Sequence, residues 1–407
     1  MTVADGGGGF DPGGVRRDFS ILESGLVWLD NAATTQRPDG VLAAMERFYR
    51  RQNANPRRSV HRLGNEATQA FESARERVAR FIGGAPEEVV FTAGTTAGIN
   101  LVVGGLAEEE LGEGDEVWVS AAEHHSNWVP WQQAVLRTGA TLKVIPLRED
   151  GRLELDVLRA GVLRGRTKWV AVTWVSNVLG LENDVAAVAQ IARDVGARVL
   201  VDGAQGVAHL PVNVGRMGCD FFAFSGHKMY GPMGIGALWG RGELLAEMTP
   251  TVFGGEMIAR VDDGESVWAE APWRFEGGTP HVAGAVGLGA AVDWLQGLPE
   301  GAHEHEAVLA RVAAERLAEL PGVKVWGAQE GRLSLVSFSV EGIHPHDVAQ
   351  VLDDRGVAIR AGHLCAQPLL RRLGVAAVAR ASFFPGNTLE EVERLVTGVK
   401  AAQELLA

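Results

Sequence analysis

Short, almost wholly apolar runs recur along the middle of this chain, and that recurrence constrains the fold more than any other feature. They are Val89-Val90-Phe91, Val117-Trp118-Val119, Leu142-Lys143-Val144-Ile145, residues 169–175, Val199-Leu200-Val201, residues 221–224 and residues 235–239. A strand with one face in water alternates apolar and polar residues, whereas runs this continuous suit strands buried on both faces. Helical stretches fall between them, such as 185–195 with Val188, Ala192 and Val195 on one side. Crossover connections in a mostly parallel sheet need such helices, so the fold class is α/β.

Upstream, residues 65–82 carry Ala67, Ala70, Phe71, Ala74, Val78 and Phe81 at three- and four-residue spacing before Gly83-Gly84. That spacing predicts an amphipathic helix with a glycine stop. Beyond residue 288 the pattern changes to a long helix over 304–319, strands near 323–325 and 333–340, and helices over 346–355 and 389–405. The 407 residues exceed one ordinary core. The expected division is a tail and joining segment (1–21), a large α/β domain (22–288) and a smaller α+β domain (289–407).

The formal charge of −13 excludes a general nucleic-acid binder, because phosphate binding draws on clustered Lys and Arg. Arg57-Arg58 and Arg371-Arg372 read as solvated surface charge. The Gly-rich residues 1–14 read as a flexible tail. No stretch of 18 apolar residues and no charged segment leading into an apolar one occurs, so a cytoplasmic location without membrane contact is expected. Cys219 and Cys365 make neither a disulfide framework nor a zinc pattern. Cys219, beside an apolar run, reads as a small buried hydrophobe.

The runs end in polar residues, and open α/β sheets gather ligands at the carboxyl ends of their strands. After 221–224 come Ser225-Gly226-His227-Lys228; a loop lysine is ordinarily a surface charge, but here it is placed for a Schiff base. After 199–201 come Asp202-Gly203-Ala204-Gln205. Asp202 could serve as a helix cap, or pair with a protonated pyridine nitrogen and make that ring an electron sink. After 89–91, the segment Thr92 to Gly98 opens a helix, where Thr95 and Thr96 are either plain caps or part of an anion cradle for a phosphate.

The run 117–119 leads to Glu123-His124-His125-Ser126-Asn127. An imidazole there can stack on a pyridine ring or shuttle a proton, and the His pair has no further ligands at metal-site spacing. Asn177, closing the strand at 169–175, is a neutral donor suited to a phenolic oxygen. Cys365 sits among Gly362, His363, Gln367 and Pro368, which read as a loop, and loops carry exposed, reactive thiols. Arg360 and His363 favour its thiolate.

Taken in order, Leu29-Asp30-Asn31-Ala32-Ala33, Gly94-Thr95-Thr96, Glu123-His124-His125, Val175-Ser176-Asn177, Asp202-Gly203-Ala204-Gln205, Ser225-Gly226-His227-Lys228 and Gly362-His363-Leu364-Cys365-Ala366-Gln367-Pro368 resemble the cysteine desulfurases. The resemblance is to the SufS-type branch of the class V, fold-type I aminotransferases, and covers residues 18 to 405. It implies pyridoxal 5'-phosphate on Lys228, with Asp202 at the pyridine nitrogen, His124 on the ring, and Asn177 and Gln205 at the phenolic oxygen. Thr95, Thr96, Ser225 and His227 would bind the phosphate, with Thr279 reaching it from the partner of a homodimer. Arg380, with Arg360 and Asn31, would hold the substrate carboxylate.

The implied reaction converts L-cysteine to L-alanine and leaves a persulfide on Cys365 for iron–sulfur cluster assembly, with a SufE- or SufU-type protein as sulfur acceptor. Two departures stand out: Leu364 occupies the place of a second His, and Pro385-Gly386 precedes Asn387-Thr388 where the family shows an aromatic residue. The first removes an ionisable group beside the nucleophile and leaves the cofactor site untouched. Selenocysteine lyase, or another C–S lyase with the same cofactor, is the alternative reading. A keto acid product would mark an aminotransferase, and absence of cofactor absorbance a non-catalytic scaffold. G-x-G-x-x-G between a first strand and helix, the mark of nicotinamide binding, is missing.

Overall fold

The computed structural model describes residues 10–406 except Arg58 and Gln329. Among the described residues fifteen strands form four sheets. Strand β1 (Val27–Trp28) precedes those of the main sheet: β2 (Val89–Thr92), β3 (Glu116–Ser120), β4 (Thr141–Ile145), β5 (Thr167–Thr173), β6 (Arg198–Asp202), β7 (Phe221–Ser225) and β8 (Gly236–Gly240). These seven lie in the order β2-β8-β7-β6-β5-β3-β4. Pairs among β3 to β7 are parallel, while β8 runs antiparallel between β2 and β7.

The continuous apolar runs have the expected cause. Val117, Val119, Trp169, Ala171, Leu200, Phe221 and Ala223 enter one core. Their alternates Trp118, Val170, Val172, Val199, Val201, Phe222 and Phe224 enter another on the opposite face. Side chains in a strand point alternately to the two faces, so a sheet covered on both sides needs apolar residues at every position. Helix Arg62–Ile82 covers one face with Ala67, Phe71, Ala74 and Val78 fully buried, and Gly83 ends it in a left-handed turn.

A hairpin of β9 (Ile258–Val261) and β10 (Ser266–Trp268) follows. The second sheet is antiparallel, β11 (Val323–Trp326), β12 (Leu335–Val340), β15 (Val378–Ser382) and β14 (Arg360–Gly362) in that order. Helices Ala302–Ala318, Pro345–Asp353 and Leu389–Leu406 share its core with Leu309, Val348 and Leu395. Strand β1 pairs in parallel with β13 (Val357–Ala358), which brings the segment 27–33 to this sheet.

Three expectations change. The tail read over residues 1–14 lies partly outside the described residues (1–9), and Pro12–Arg16 is a helix that buries Val15. Arg57 is no solvated charge: its guanidinium is largely buried and pairs with Glu276 at 2.8 Å, while its neighbour Arg58 lies outside the described residues. The fifth strand ends at Thr173, so Asn177 sits in the following turn and does not close it. Cys219 is buried as expected, and burial pushes its thiol up to about 12. No helix among the described residues is long and apolar enough to cross a membrane.

Candidate active site

Register explains why residues far apart in sequence meet. Thr92 and Ser225 both pair with Gly236, and Asp202 pairs with both Thr173 and Ala223. The ends of β2, β7, β6 and β5 therefore lie along one edge of the sheet. A cavity of about 320 Å³ opens there, lined by Thr95, Thr96, His124, Asn177, Asp202, Ser225, His227 and Lys228 from the main sheet's side. Arg360, Leu364, Cys365 and Arg380 line it from the second sheet's side.

One end of the cavity is an anion cradle. Helix Thr95–Val102 begins there; Thr95 donates its N–H to Ser225 Oγ at 2.8 Å, and the two hydroxyls lie 2.7 Å apart. Gly94 has φ +138°, and a Cβ on it would stand 3.0 Å from Ser225 Oγ, so only glycine leaves the cradle open. Thr96 and His124 both contact Ser126 Oγ, at 2.7 and 2.9 Å. Ser126 is thus a lining residue that no sequence motif singled out.

Deeper in, burial dominates the electrostatics. Asp202 Oδ1 accepts from the Ala204 N–H at 2.9 Å. Burial raises the pKa of Asp202 and lowers that of Lys228, each opposed by the other's charge. Burial, then the charge of Lys228, holds His124 down at about 3 and His227 at about 4, so both rings are neutral at pH 7. Beneath them Glu123 is wholly buried and accepts from Ser120 Oγ, Thr173 N and Asn127 Nδ2. Burial pushes its carboxyl up to about 8 against those hydrogen bonds, with the charge of Asp202 adding to the rise.

The cysteine lies on a tethered loop. Leu364 and Cys365 have φ values of +51° and +52°, left-handed backbone that side chains disfavour. Three contacts hold it: Asn177 Nδ2 donates to Leu364 O at 2.8 Å, His125 N to Cys365 O at 2.7 Å, and Gln367 N to His125 Nε2 at 3.2 Å. Within the loop, Cys365 N donates to His363 Nδ1 at 3.0 Å. The Cys365 residue itself is exposed.

At the second sheet, Arg360 and Arg380 stand opposite each other on β14 and β15. The buried carboxylate of Asp30 lies between them, 2.6 Å from Arg360 and 3.5 Å from Arg380. Burial lowers Arg380 to about 10, opposed by Asp30.

Three expected residues stand outside the lining set. Asn31 is buried and donates to Ser382 O at 2.9 Å. Gln205 donates to Ala32 O at 2.7 Å. Thr279 lines a separate cavity of about 420 Å³ with Phe91, Thr92 and Ala97.

The description "Aminotransferase class-V" fits residues 27–395 as a family model. The chain belongs to that family. Among its class V relatives, a probable cysteine desulfurase of Halalkalibacterium halodurans is 50% identical, over 96% of this chain and 97% of its own length. A cysteine desulfurase of Klebsiella pneumoniae is 47% identical over 96% of this chain and 98% of its own. The crystal structure of the cysteine desulfurase CsdA from Escherichia coli superposes with a TM-score of 0.92 at 40% identity, covering 98% of this chain and all of that one. The class V chain described here is therefore an enzyme of fold-type I and groups with the cysteine desulfurases.

Sequence reasoning missed Asp30, His125 and Ser126 as members of this site. Asp30 was visible only as part of a motif. The ring of His125 meets Gln367 N, 242 residues away in the Cys365 loop, a pairing no local spacing encodes.

Proposed function

We propose that this chain is a pyridoxal 5'-phosphate-dependent cysteine desulfurase of SufS type, converting L-cysteine to L-alanine with transfer of the sulfur to Cys365. The observation that carries the reading is one cavity walled by Lys228, Asp202, the Thr95–Ser225 cradle and Cys365 together. The donor set fits the cofactor: hydroxyls and a helix start for a phosphate, a buried carboxylate for a pyridine nitrogen, and an amine between them. Asn177 Oδ1 and Arg380 Nε, both on residues of that wall, are buried without hydrogen-bond partners, as expected of groups that meet a ligand.

Lys228, Asp202, Thr95, Thr96, Ser225 and His227 would hold the cofactor, with His124 against its ring and Asn177 and Gln205 near its phenolic oxygen. Bound there, pyridoxal phosphate supplies an electron sink for a carbanion at the substrate's α-carbon. The Lys228 amine, its pKa lowered by burial, is the base that takes the Cα proton. Arg380 and Arg360 orient the substrate carboxylate, with Asn31 bracing the strand segment beside them. Cys365 thiolate attacks the substrate sulfur: an S–S bond forms, the C–S bond breaks, and its electron pair stays on carbon, which takes a proton before alanine leaves.

The chain's residues 22–288 would supply the cofactor side and 289–407 the nucleophile loop, with the described part of 1–21 joining the smaller unit. Thr279, outside its own chain's cavity, suits a homodimer in which it serves the second copy. The persulfide would pass to a SufE- or SufU-type acceptor for iron–sulfur cluster assembly in the cytoplasm. Incubation of Cys365→Ser protein with cysteine tests the reading: the yellow absorbance of bound cofactor should persist and alanine formation should cease. Unchanged turnover would reject the role of Cys365, and mass spectrometry should find added sulfur on Cys365 of the unmodified enzyme.

A further inference from the structure

We propose that His209, His303 and Glu306 form a binding site for a divalent transition metal, zinc by its donor set, at the seam between the two sheets. His209 follows β6 in the segment that begins at Asp202. His303 and Glu306 lie one turn apart on helix Ala302–Ala318 and so share a face. No sequence spacing links this trio, which only the packing of that helix assembles.

The donor atoms are one ring nitrogen from each histidine and a carboxylate oxygen, all within 4.8 Å of one another. Glu306 Oε2 stands 3.1 Å from Nδ1 of His209 and 3.1 Å from Nδ1 of His303. Tetrahedral zinc, with bonds of about 2.0–2.2 Å, sets its ligands roughly 3.3 Å apart, so these side chains need little movement. Ser334 Oγ lies 3.0 Å from Nε2 of His209, serving the ring's other nitrogen as outer partners of metal-bound imidazoles do.

Hydrogen bonding alone leaves this site unfinished. Glu306 Oε1 and the Tyr230 hydroxyl are both buried and face each other, yet neither reaches a partner at full hydrogen-bonding geometry. Among the described residues no lysine or arginine pairs with Glu306, whose ion-pair partners are the two histidines. An imidazole carries charge only when protonated, so a buried carboxylate whose ion-pair partners are histidines is costly. A metal ion supplies that charge, and a water as its fourth ligand supplies the missing partner. The His303 side chain is 42% exposed and gives the ion a path in. Once bound, the ion pins helix Ala302–Ala318 to the segment between Asp202 and Lys228, two residues short of Tyr230.

The test uses holoenzyme with Cys365 alkylated, so that its thiol does not capture metal. The protein is dialysed against zinc chloride, then against zinc-free buffer, and its zinc is counted by mass spectrometry. One zinc per chain is expected, with a thermal midpoint that rises with zinc and returns with chelator. His303→Asn, at a partly exposed position, should lose both effects while keeping the cofactor's absorbance. Ser334→Ala should weaken zinc binding by about 10- to 100-fold. Wild-type protein that retains no more zinc than His303→Asn, or whose midpoint ignores zinc, overturns the proposal and leaves the trio a hydrogen-bonded cluster.

Discussion

The loop that carries Cys365 is the part of the site most open to a quantitative test, through His125. Its ring accepts one hydrogen bond from the loop, from Gln367 N at 3.2 Å, while its backbone N–H donates another to Cys365 O. Changing His125 to Ala removes the first and keeps the second. A hydrogen bond of this kind contributes about 0.5–1.5 kcal/mol, which corresponds to roughly a 2- to 13-fold change in the ratio of tethered to released loop. The left-handed backbone of Leu364 and Cys365 makes the loop depend on such tethers, because each disfavoured residue costs about 1–3 kcal/mol. The expected result is a lower kcat for alanine formation, by up to about 13-fold, with cofactor absorbance and KM for cysteine unchanged. The tether also requires a neutral acceptor. Burial, then the charges of His363 and Arg371, lowers the pKa of His125, so the wild-type tether survives to a lower pH than an ordinary histidine allows and fails as pH falls through that lowered value. In His125→Ala this contribution to the acid limb of the kcat profile should vanish. If kcat is unchanged, or if KM and absorbance shift together with it, the tether argument is wrong.

Other expectations follow from the same geometry. Gly94→Ala places a Cβ at φ +138° and against Ser225 Oγ; it should cost about 1–3 kcal/mol and speed cofactor loss on dilution, read from the yellow absorbance. Lys228→Ala removes the proposed base and should lower alanine formation by on the order of 10²- to 10⁴-fold, with Cys365 still open to alkylation. Glu276→Gln leaves Arg75 and Arg57 without the buried carboxylate they share; a loss of about 3–5 kcal/mol should appear in denaturant unfolding, and a loss under 1 kcal/mol would contradict the buried-pair assignment. Iodoacetamide on the folded protein should label Cys365 and spare Cys219, whose thiol burial holds near 12; equal labelling would refute that contrast.

Local pattern determined a great deal of this molecule. Doubly buried strands require unbroken apolar runs, so the main sheet, its flanking helices and the polar residues ending each strand are legible in the order of residues alone. The strands of the second sheet near 323–325 and 333–340 and the helix near 304–319 are legible too, whereas helix Val282–Gln296 runs through residue 288 and packs in the main core. Pro12–Arg16 escaped because two glycines in its five residues argue against a helix, and tertiary burial of Val15 outweighs that propensity.

What only the tertiary structure decided is where charges and lone pairs find partners. Arg57 reads as surface charge until Glu276 arrives from across the fold. Asp30 becomes the shared counterion of Arg360 and Arg380 only when β1 pairs beside β13. The antiparallel course of β8 and the meeting of Glu306 with His209 are likewise set by packing. Hydrophobic burial repeats with the backbone's own period and so is written locally. Electrostatic and hydrogen-bond pairing joins single atoms across any sequence distance, and no period records it.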